Sequence, residues 1–171
     1  MSSVQEKMTD MERVNAILAH KTFRKHLSTI AAYEEDREFC RHDMVHFMDV
    51  ARIAEIYNLT EREKPYRRDV IYAAGLLHDI GRDIQYEDGS DHAIASSYIA
   101  QEILQECGYR RGEIGMITEA IFHHRDKKVK EEENLNGILY RADKASRPCY
   151  LCPVEGRCDW KKKKKNMEIK V

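Results

Sequence analysis

Glycine and proline are scarce: eight and three among 171 residues. Most of the chain reads in period 3.6, so the domain is expected to be nearly all helix. Neither GxxxxGK[ST] nor GxGxxG occurs, which sets aside phosphate binding by a glycine-rich loop. A formal net charge of −1 offers no global pull toward nucleic acid or membrane, so any such pull would be local. No window approaches about 18 uninterrupted apolar residues, and "MSSVQEKMTDMERV" has no basic region followed by an apolar core. The expected location is cytoplasmic. Five cysteines, an odd number without a secretion signal, argue against a disulfide framework and for free thiols or metal ligands.

Hydrophobic residues make up 42% and charged ones 35%, as in a soluble helix-rich protein, and the length suits one well-cored domain. No internal repeat is present. The periodicity predicts helices near 10–20, 22–36, 42–57, 67–79, 91–107, 112–125 and 135–146. Gly81 and Gly108 stand where left-handed caps are wanted, Asp91 is placed to cap the helix beginning at His92, and Thr60 with Glu63 forms a candidate capping box before Pro65. The texture changes after about residue 147. The expected organisation is a helical domain over 1–147 and an irregular cysteine loop with a basic tail over 148–171.

The stretch "AGLLHDIGRD" ends an apolar run with two adjacent groups that avoid full burial. Other helices do the same. His46 shares a stripe with Val50, Ile53 and Tyr57; His78 follows Val70, Ala73, Ala74 and Leu77; His92 precedes Ala95, Ser96, Ile99 and Ile103. His124 continues the line of Ile114, Ile117 and Ile121, whereas His123 lines up with Met116 and Ala120. In "LNGILYRADKASR", Asp143 falls four residues after Leu139. Five helices thus deliver His46, His78, Asp79, His92, His124 and Asp143 toward one interior. A lone buried histidine needs only a hydrogen-bond partner. Six such groups are satisfied together by a shared metal. Imidazole and carboxylate without thiolate suit Fe, Mn, Co, Ni or Zn and are too nitrogen-rich for Mg or Ca. His46, His78, Asp79 and Asp143 could hold one ion; His92 and His124 could hold a second, with Asp79 bridging.

The order His46, His78-Asp79, Asp143 resembles the HD superfamily of metal-dependent phosphohydrolases, and the added His92 and His124 resemble its H…HD…H…H…D subset, which can hold two metals. The likeness covers residues 40–147, with "HDIGRD" and "YRADKASR" as its strongest stretches. It implies an all-α HD-domain helical bundle, a metal-activated water, and a substrate with a phosphoester or phosphoanhydride bond, often a nucleotide. The branch it resembles hydrolyses diadenosine tetraphosphate at a di-iron centre, which favours Fe or Mn. Bacterial HD proteins with trailing cysteines are similar as well.

Asp79 is the catalytic candidate among the ligands. Arg82 and Lys144, next to the ligands in sequence, are candidates for phosphate charge, with Arg125 a weaker third; an Arg or Lys at a helix end more often faces solvent or neutralises the helix C-terminus, an alternative that weighs evenly for Arg82 and more heavily for the other two. Asp83 could orient Arg82 or accept a proton. Cys149, Cys152 and Cys158 form C-x2-C-x5-C in a loop with too few apolar residues to order itself. Zinc or an iron–sulfur cluster is the expectation there, with Cys40 as the fourth ligand and His42 as the alternative. Cys107 reads as a buried helix-end thiol. "WKKKKKN" reads as a solvated tail, with contact to nucleic acid or to a substrate polyphosphate left open.

The leading reading is a phosphohydrolase acting on a nucleotide or another small phosphorylated compound. Within the fold, the rivals are a mononuclear 5′-nucleotidase and an enzyme of guanosine tetraphosphate breakdown. The HD-x-x-E-D pattern expected of the latter is missing. The rival from another class is a metal-stabilised module that binds nucleotides or nucleic acid with little catalysis, whose affinity would fall steeply with salt.

Overall fold

The computed structural model describes residues 8–171; the first seven residues of the stretch read above for a targeting signal lie outside them. Among the described residues the regular structure is helical: α1 (Asp10–Ala19), α2 (Lys21–Tyr33), α3 (Met44–Glu61), α4 (Arg68–Leu77), α5 (Arg82–Asp88), α6 (His92–Glu106), α7 (Arg111–His123) and α8 (Leu135–Ala145). No helix among them is long and apolar enough to cross a membrane.

Local chemistry sets most helix starts. Thr9 and Glu12 form a reciprocal capping box on α1. Asp43 accepts from the His46 N–H at the start of α3, and Asp91 accepts from the Ala93 N–H at the start of α6, as expected. Asn134 caps α8 in the same way.

Three local expectations are corrected. Thr60 lies inside α3, where its hydroxyl donates to the Ile56 carbonyl at 2.8 Å, so no capping box with Glu63 forms. Gly108 takes the expected left-handed turn (φ 77°), but Gly81 does not (φ −92°). Gly81 is a glycine because of a close approach: a Cβ there would sit 2.5 Å from the Ser96 nitrogen. Its own N–H donates to Ser96 Oγ at 2.9 Å. Helix α5 was not anticipated, because "RDIQYED" is too short and too polar to show a period. It is held by tertiary contacts, including His26 Nδ1 to Asp83 Oδ2 at 2.6 Å. Asp83, a candidate for orienting Arg82, is thus paired with His26.

Helix α4 is the centre of the molecule. Of its ten residues only Arg68 and Tyr72 escape burial, and a helix apolar all round must be enclosed by neighbours. α3 packs against it most extensively, and α1, α7, α6 and α8 also touch it. Gly75 permits the α3–α4 approach: an added Cβ would fall 2.5 Å from Ala51 Cα.

A buried ionic group ties α1, α4 and α7 together. Arg13 Nε donates to Asp69 Oδ2 at 2.7 Å and Nη1 donates to Glu113 Oε2 at 2.8 Å. The guanidinium lies 4.2 Å from the Tyr109 ring centre. Asp69 is fully buried, and a buried carboxylate is tolerated in a fold where it is paired and hydrogen-bonded, as Arg13 and the Val70 N–H pair it here.

Past α8 the chain continues through short 3-10 turns at Cys149–Leu151, Glu155–Arg157 and Lys162–Lys164. Four lysines of the run, Lys161 to Lys164, are exposed as expected, but the segment is tethered at its end. Asn166 Nδ2 donates to the carbonyls of Lys144 (2.7 Å), Ala145 (3.3 Å) and Arg147 (2.9 Å), at the end of α8 where carbonyls lack intrahelical partners. Lys165 Nζ, on a side chain 8% exposed, donates to the Glu155 carbonyl and Oε1, each at 2.7 Å.

Candidate functional site

Because α4 is enclosed, whatever follows its last turn starts inside the molecule. His78 and Asp79 follow it, 0% and 2% exposed, before Gly81 opens α5. His46 arrives from the first turn of α3, His92 from the start of α6, His124 from the end of α7 and Asp143 from the last turns of α8, all buried. The expected stripes hold in outline, with a rotation. On α3 the fully buried line runs through Phe47, Val50, Ala51 and Ala54, leaving Ile53 and Tyr57 partly buried, and on α6 Ala95 and Ile99 are partly buried.

Each imidazole is held from its outer side. His78 Nδ1 lies 2.7 Å from the Gly75 carbonyl, His124 Nδ1 2.6 Å from the Ile121 carbonyl, and His92 Nδ1 2.9 Å from Gln85 Oε1. His46 Nδ1 faces Ser146 Oγ at 3.2 Å, and that hydroxyl donates onward to the Asp143 carbonyl. These partners engage Nδ1 and turn Nε2 inward, the arrangement that orients histidine ligands.

The Nε2 atoms converge on Asp79, whose two oxygens divide them. Oδ2 lies 3.4 Å from His78 and 3.8 Å from His46; Oδ1 lies 3.0 Å from His92 and 3.3 Å from His124. Asp143 Oδ1 completes the first side, 3.5 Å from His46 Nε2 and 3.7 Å from His78 Nε2. Two groups result, His46–His78–Asp79–Asp143 and Asp79–His92–His124, each with donor atoms within 4.8 Å of one another. The structure thus brings all six sequence candidates together.

The residues fit a divalent ion. His78 Nε2 and Asp79 Oδ1 are buried without a hydrogen-bond partner, which a folded protein tolerates where something else is bound. Burial pushes the His46 and His92 imidazoles down to about 4, so both present neutral nitrogen. For His78 burial acts in the same direction, but the charges of Asp79 and Asp143 outweigh it and raise the ring to about 9. Burial also opposes ionisation of Asp79, yet His78 and Arg82 hold it well below the usual carboxylate range. The centre is a concentrated negative charge facing imidazoles, and nitrogen with carboxylate donors suits a transition metal.

A cavity of about 580 Å³ opens onto Asp79, His92, His124 and Asp143. Four arginines and five lysines line it, against only those two carboxylates. Arg82 Nε stands 3.6 Å from Asp79 Oδ1. Lys144 pairs with Asp143, and Arg125 sits at the rim, 3.6 Å from Asp91. His123 turns away, 4.0 Å from Asp126.

Several residues here were not anticipated from sequence. Arg147 is 8% exposed, with Nη2 3.2 Å from His46 Nε2 and Nη1 donating to the Arg41 carbonyl. Glu34 accepts from the Tyr86 hydroxyl and from both the backbone and Nδ1 of His42; Arg82 Nη2 then donates to His42 Nε2 at 2.9 Å. Burial lowers the His42 pKa, which keeps Nε2 an acceptor for that bond. Gln85 Oε1 accepts from Arg82 as well as from His92. The one sequence signal was His42, four residues before His46; Gln85 sits on the unanticipated helix α5.

The cysteines behave differently. Cys40, Cys149 and Cys152 line a second cavity of about 390 Å³, and Cys158 is not among its lining. Among the described residues no cysteine belongs to a group of three or more donors close enough to share an ion. The loop is shaped instead by its 3-10 turns, by Lys165 on Glu155 and by Arg157 paired with Glu38. Cys107 is the buried helix-end thiol expected, raised to about 11 by burial and by Glu106.

A helical domain that closes four imidazoles around one shared aspartate defines a class of metal-binding domains. This chain belongs to the HD domain family, whose model matches residues 44–147. HD domains bind divalent metals, and membership supports a metal-dependent phosphohydrolase. An uncharacterized protein of Clostridium beijerinckii (strain ATCC 51743 / NCIMB 8052) is 43% identical over 159 residues, covering 93% of this chain and 99% of the relative. The crystal structure of a predicted HD superfamily hydrolase from an uncultured Thermotogales bacterium shares the fold with a TM-score of 0.63, at 22% identity over 92% of this chain and 81% of that one.

Proposed function

We propose that the chain hydrolyses a phosphoester or phosphoanhydride bond in a nucleotide or related small phosphorylated compound. The observation that carries the reading is Asp79, which turns one oxygen to each of two ligand groups beside a cavity lined by cations. His46, His78, Asp79 and Asp143 would hold one ion and His92 and His124, with Asp79, a second. Iron or manganese suits both. When bound, such ions activate water near neutral pH and offset phosphate charge.

The chain's own residues do the rest. Arg82, aimed by His42 and Gln85, takes a phosphate oxygen beside Asp79, and its fork suits bidentate binding. Arg147 and Lys144 approach from the α8 side. His46 and His92, which burial keeps neutral, present an unprotonated Nε2 because their Nδ1 protons are committed outward.

The test is hydrolysis of p-nitrophenyl phosphate, bis(p-nitrophenyl) phosphate and a panel of nucleoside mono-, di- and triphosphates by protein loaded anaerobically with Fe(II) or Mn(II). Metal-dependent turnover of at least one substrate, abolished in Asp79→Asn and reduced roughly 100-fold or more in Arg82→Met, is expected. Absence of turnover across the panel, or an Asp79→Asn variant with wild-type rates, would refute it.

A further inference from the structure

The segment 160–166 forms one wall of the cavity that holds Asp79, although its sequence looks like a solvated run. Trp160, Lys163, Lys164 and Asn166 line the cavity, while Lys161 and Lys162 do not. The wall is built into the fold. Asn166 donates to three carbonyls at the end of α8, the helix that carries Asp143 and Lys144, and the nearly buried Lys165 is locked onto Glu155. With two neighbours fixed in this way, Lys163 and Lys164 are held at the cavity beside the end of α8.

The cavity draws its cations from separate parts of the chain. Arg82 and Arg147 stand beside the ligand groups, within hydrogen-bond range of their histidine neighbours. Lys163 and Lys164 come from a different part of the chain and are exposed. In a chain of net charge −1, this concentration around one cavity focuses a positive potential where an extended anion would lie.

Building on the phosphohydrolase reading, we infer that Lys163 and Lys164 are specificity-determining residues that bind the distal part of a chain of two or more linked phosphates, with Trp160 beside them. The chemistry required is a phosphate chain, which a nucleoside polyphosphate or an inorganic polyphosphate could supply. Trp160 separates the two sources, since an indole face gains from a base and gains nothing from bare phosphate.

The full-length protein is titrated calorimetrically with inorganic tripolyphosphate and with orthophosphate. Lys163→Glu/Lys164→Glu should lower the tripolyphosphate-to-orthophosphate affinity ratio by about tenfold or more, since each reversal replaces an attraction by a repulsion. Lys161→Glu/Lys162→Glu makes the same charge change one step away, outside the cavity, and should leave the ratio unchanged. Asn166→Ala, which releases the wall without altering charge, should lower the ratio in the direction of the double reversal. An unchanged ratio in Lys163→Glu/Lys164→Glu, or an equal fall in Lys161→Glu/Lys162→Glu, overturns the inference. Trp160→Ala weakening ATP about tenfold more than tripolyphosphate identifies a nucleoside polyphosphate; equal effects identify an inorganic chain. Metal-dependent turnover of p-nitrophenyl phosphate by the wild-type protein reports separately on the hydrolase reading. Its failure beside a ratio that responds as expected would remove that reading and leave the phosphate-chain site.

Discussion

Asp79 is the one group shared by both halves of the centre, and Asp79→Asn tests that sharing without changing shape. Its oxygens lie 3.0 and 3.3 Å from His92 and His124 on one side, and 3.4 and 3.8 Å from His78 and His46 on the other. The amide removes the charge facing both groups. Asp143→Asn removes charge from the first group alone, because Asp143 Oδ1 faces only His46 and His78. An ion present at 100 times its dissociation constant stabilises the folded state by about 2.7 kcal/mol. For a domain of this size each kcal/mol moves Tm by roughly 2–4 °C, so each filled group should add roughly 5–11 °C. Scanning calorimetry on metal-stripped protein titrated with Mn(II), with ions counted by elemental analysis, reads both quantities. Wild type should gain two increments, Asp143→Asn one and Asp79→Asn none. An Asp79→Asn protein with the full increment, or one indistinguishable from Asp143→Asn, would refute the shared-carboxylate geometry.

Gln85→Ala frees both His92 Nδ1 and Arg82 and should cost about 10–100-fold in metal affinity at the His92–His124 side, measured by competition with a chelator; an unchanged affinity would show that Gln85 positions nothing. Arg13→Met leaves the Asp69 carboxylate buried without its partner and should destabilise the fold by about 3–5 kcal/mol in urea unfolding, and a loss under about 1 kcal/mol would contradict a buried ionic tie. Glu113, held down to about 2 chiefly by its hydrogen bond from Arg13, contributes stability that is present above pH 4.5 and lost as pH falls toward 2. Glu113→Gln should therefore lower Tm at pH 7, with the gap to wild type closing through that acid window; a gap constant from pH 7 to pH 2 would rule the linkage out.

Much of the centre was legible in the sequence because a helix of regular period tells which residues share a face. His46, His78, His92, His124 and Asp143 each sat on or beside an apolar stripe, and Asp79 was tied to His78 by adjacency. Caps such as Asp91 were legible for the same local reason. What failed was also local in sequence but decided elsewhere. Helix α5 has no apolar period and depends on His26 and α6. Gly81 looked like a helix stop, yet its lack of a side chain serves a backbone approach to Ser96.

The sequence alone determined that this chain is helical, that six metal-type donors lie on inward faces, and that an HD signature runs through them. Tertiary structure alone decided that Asp79 divides its oxygens between two groups, that Arg147, Gln85 and the Glu34–His42 pair support the centre, and that five consecutive lysines do not share one fate. Lys165 is tied to Glu155, two others line the cavity, and the remaining two are exposed away from it. The reason is that periodicity reports which side of a helix is apolar, whereas a short polar segment takes its place from unsatisfied carbonyls and charges that other parts of the chain present, here the end of α8 and Glu155.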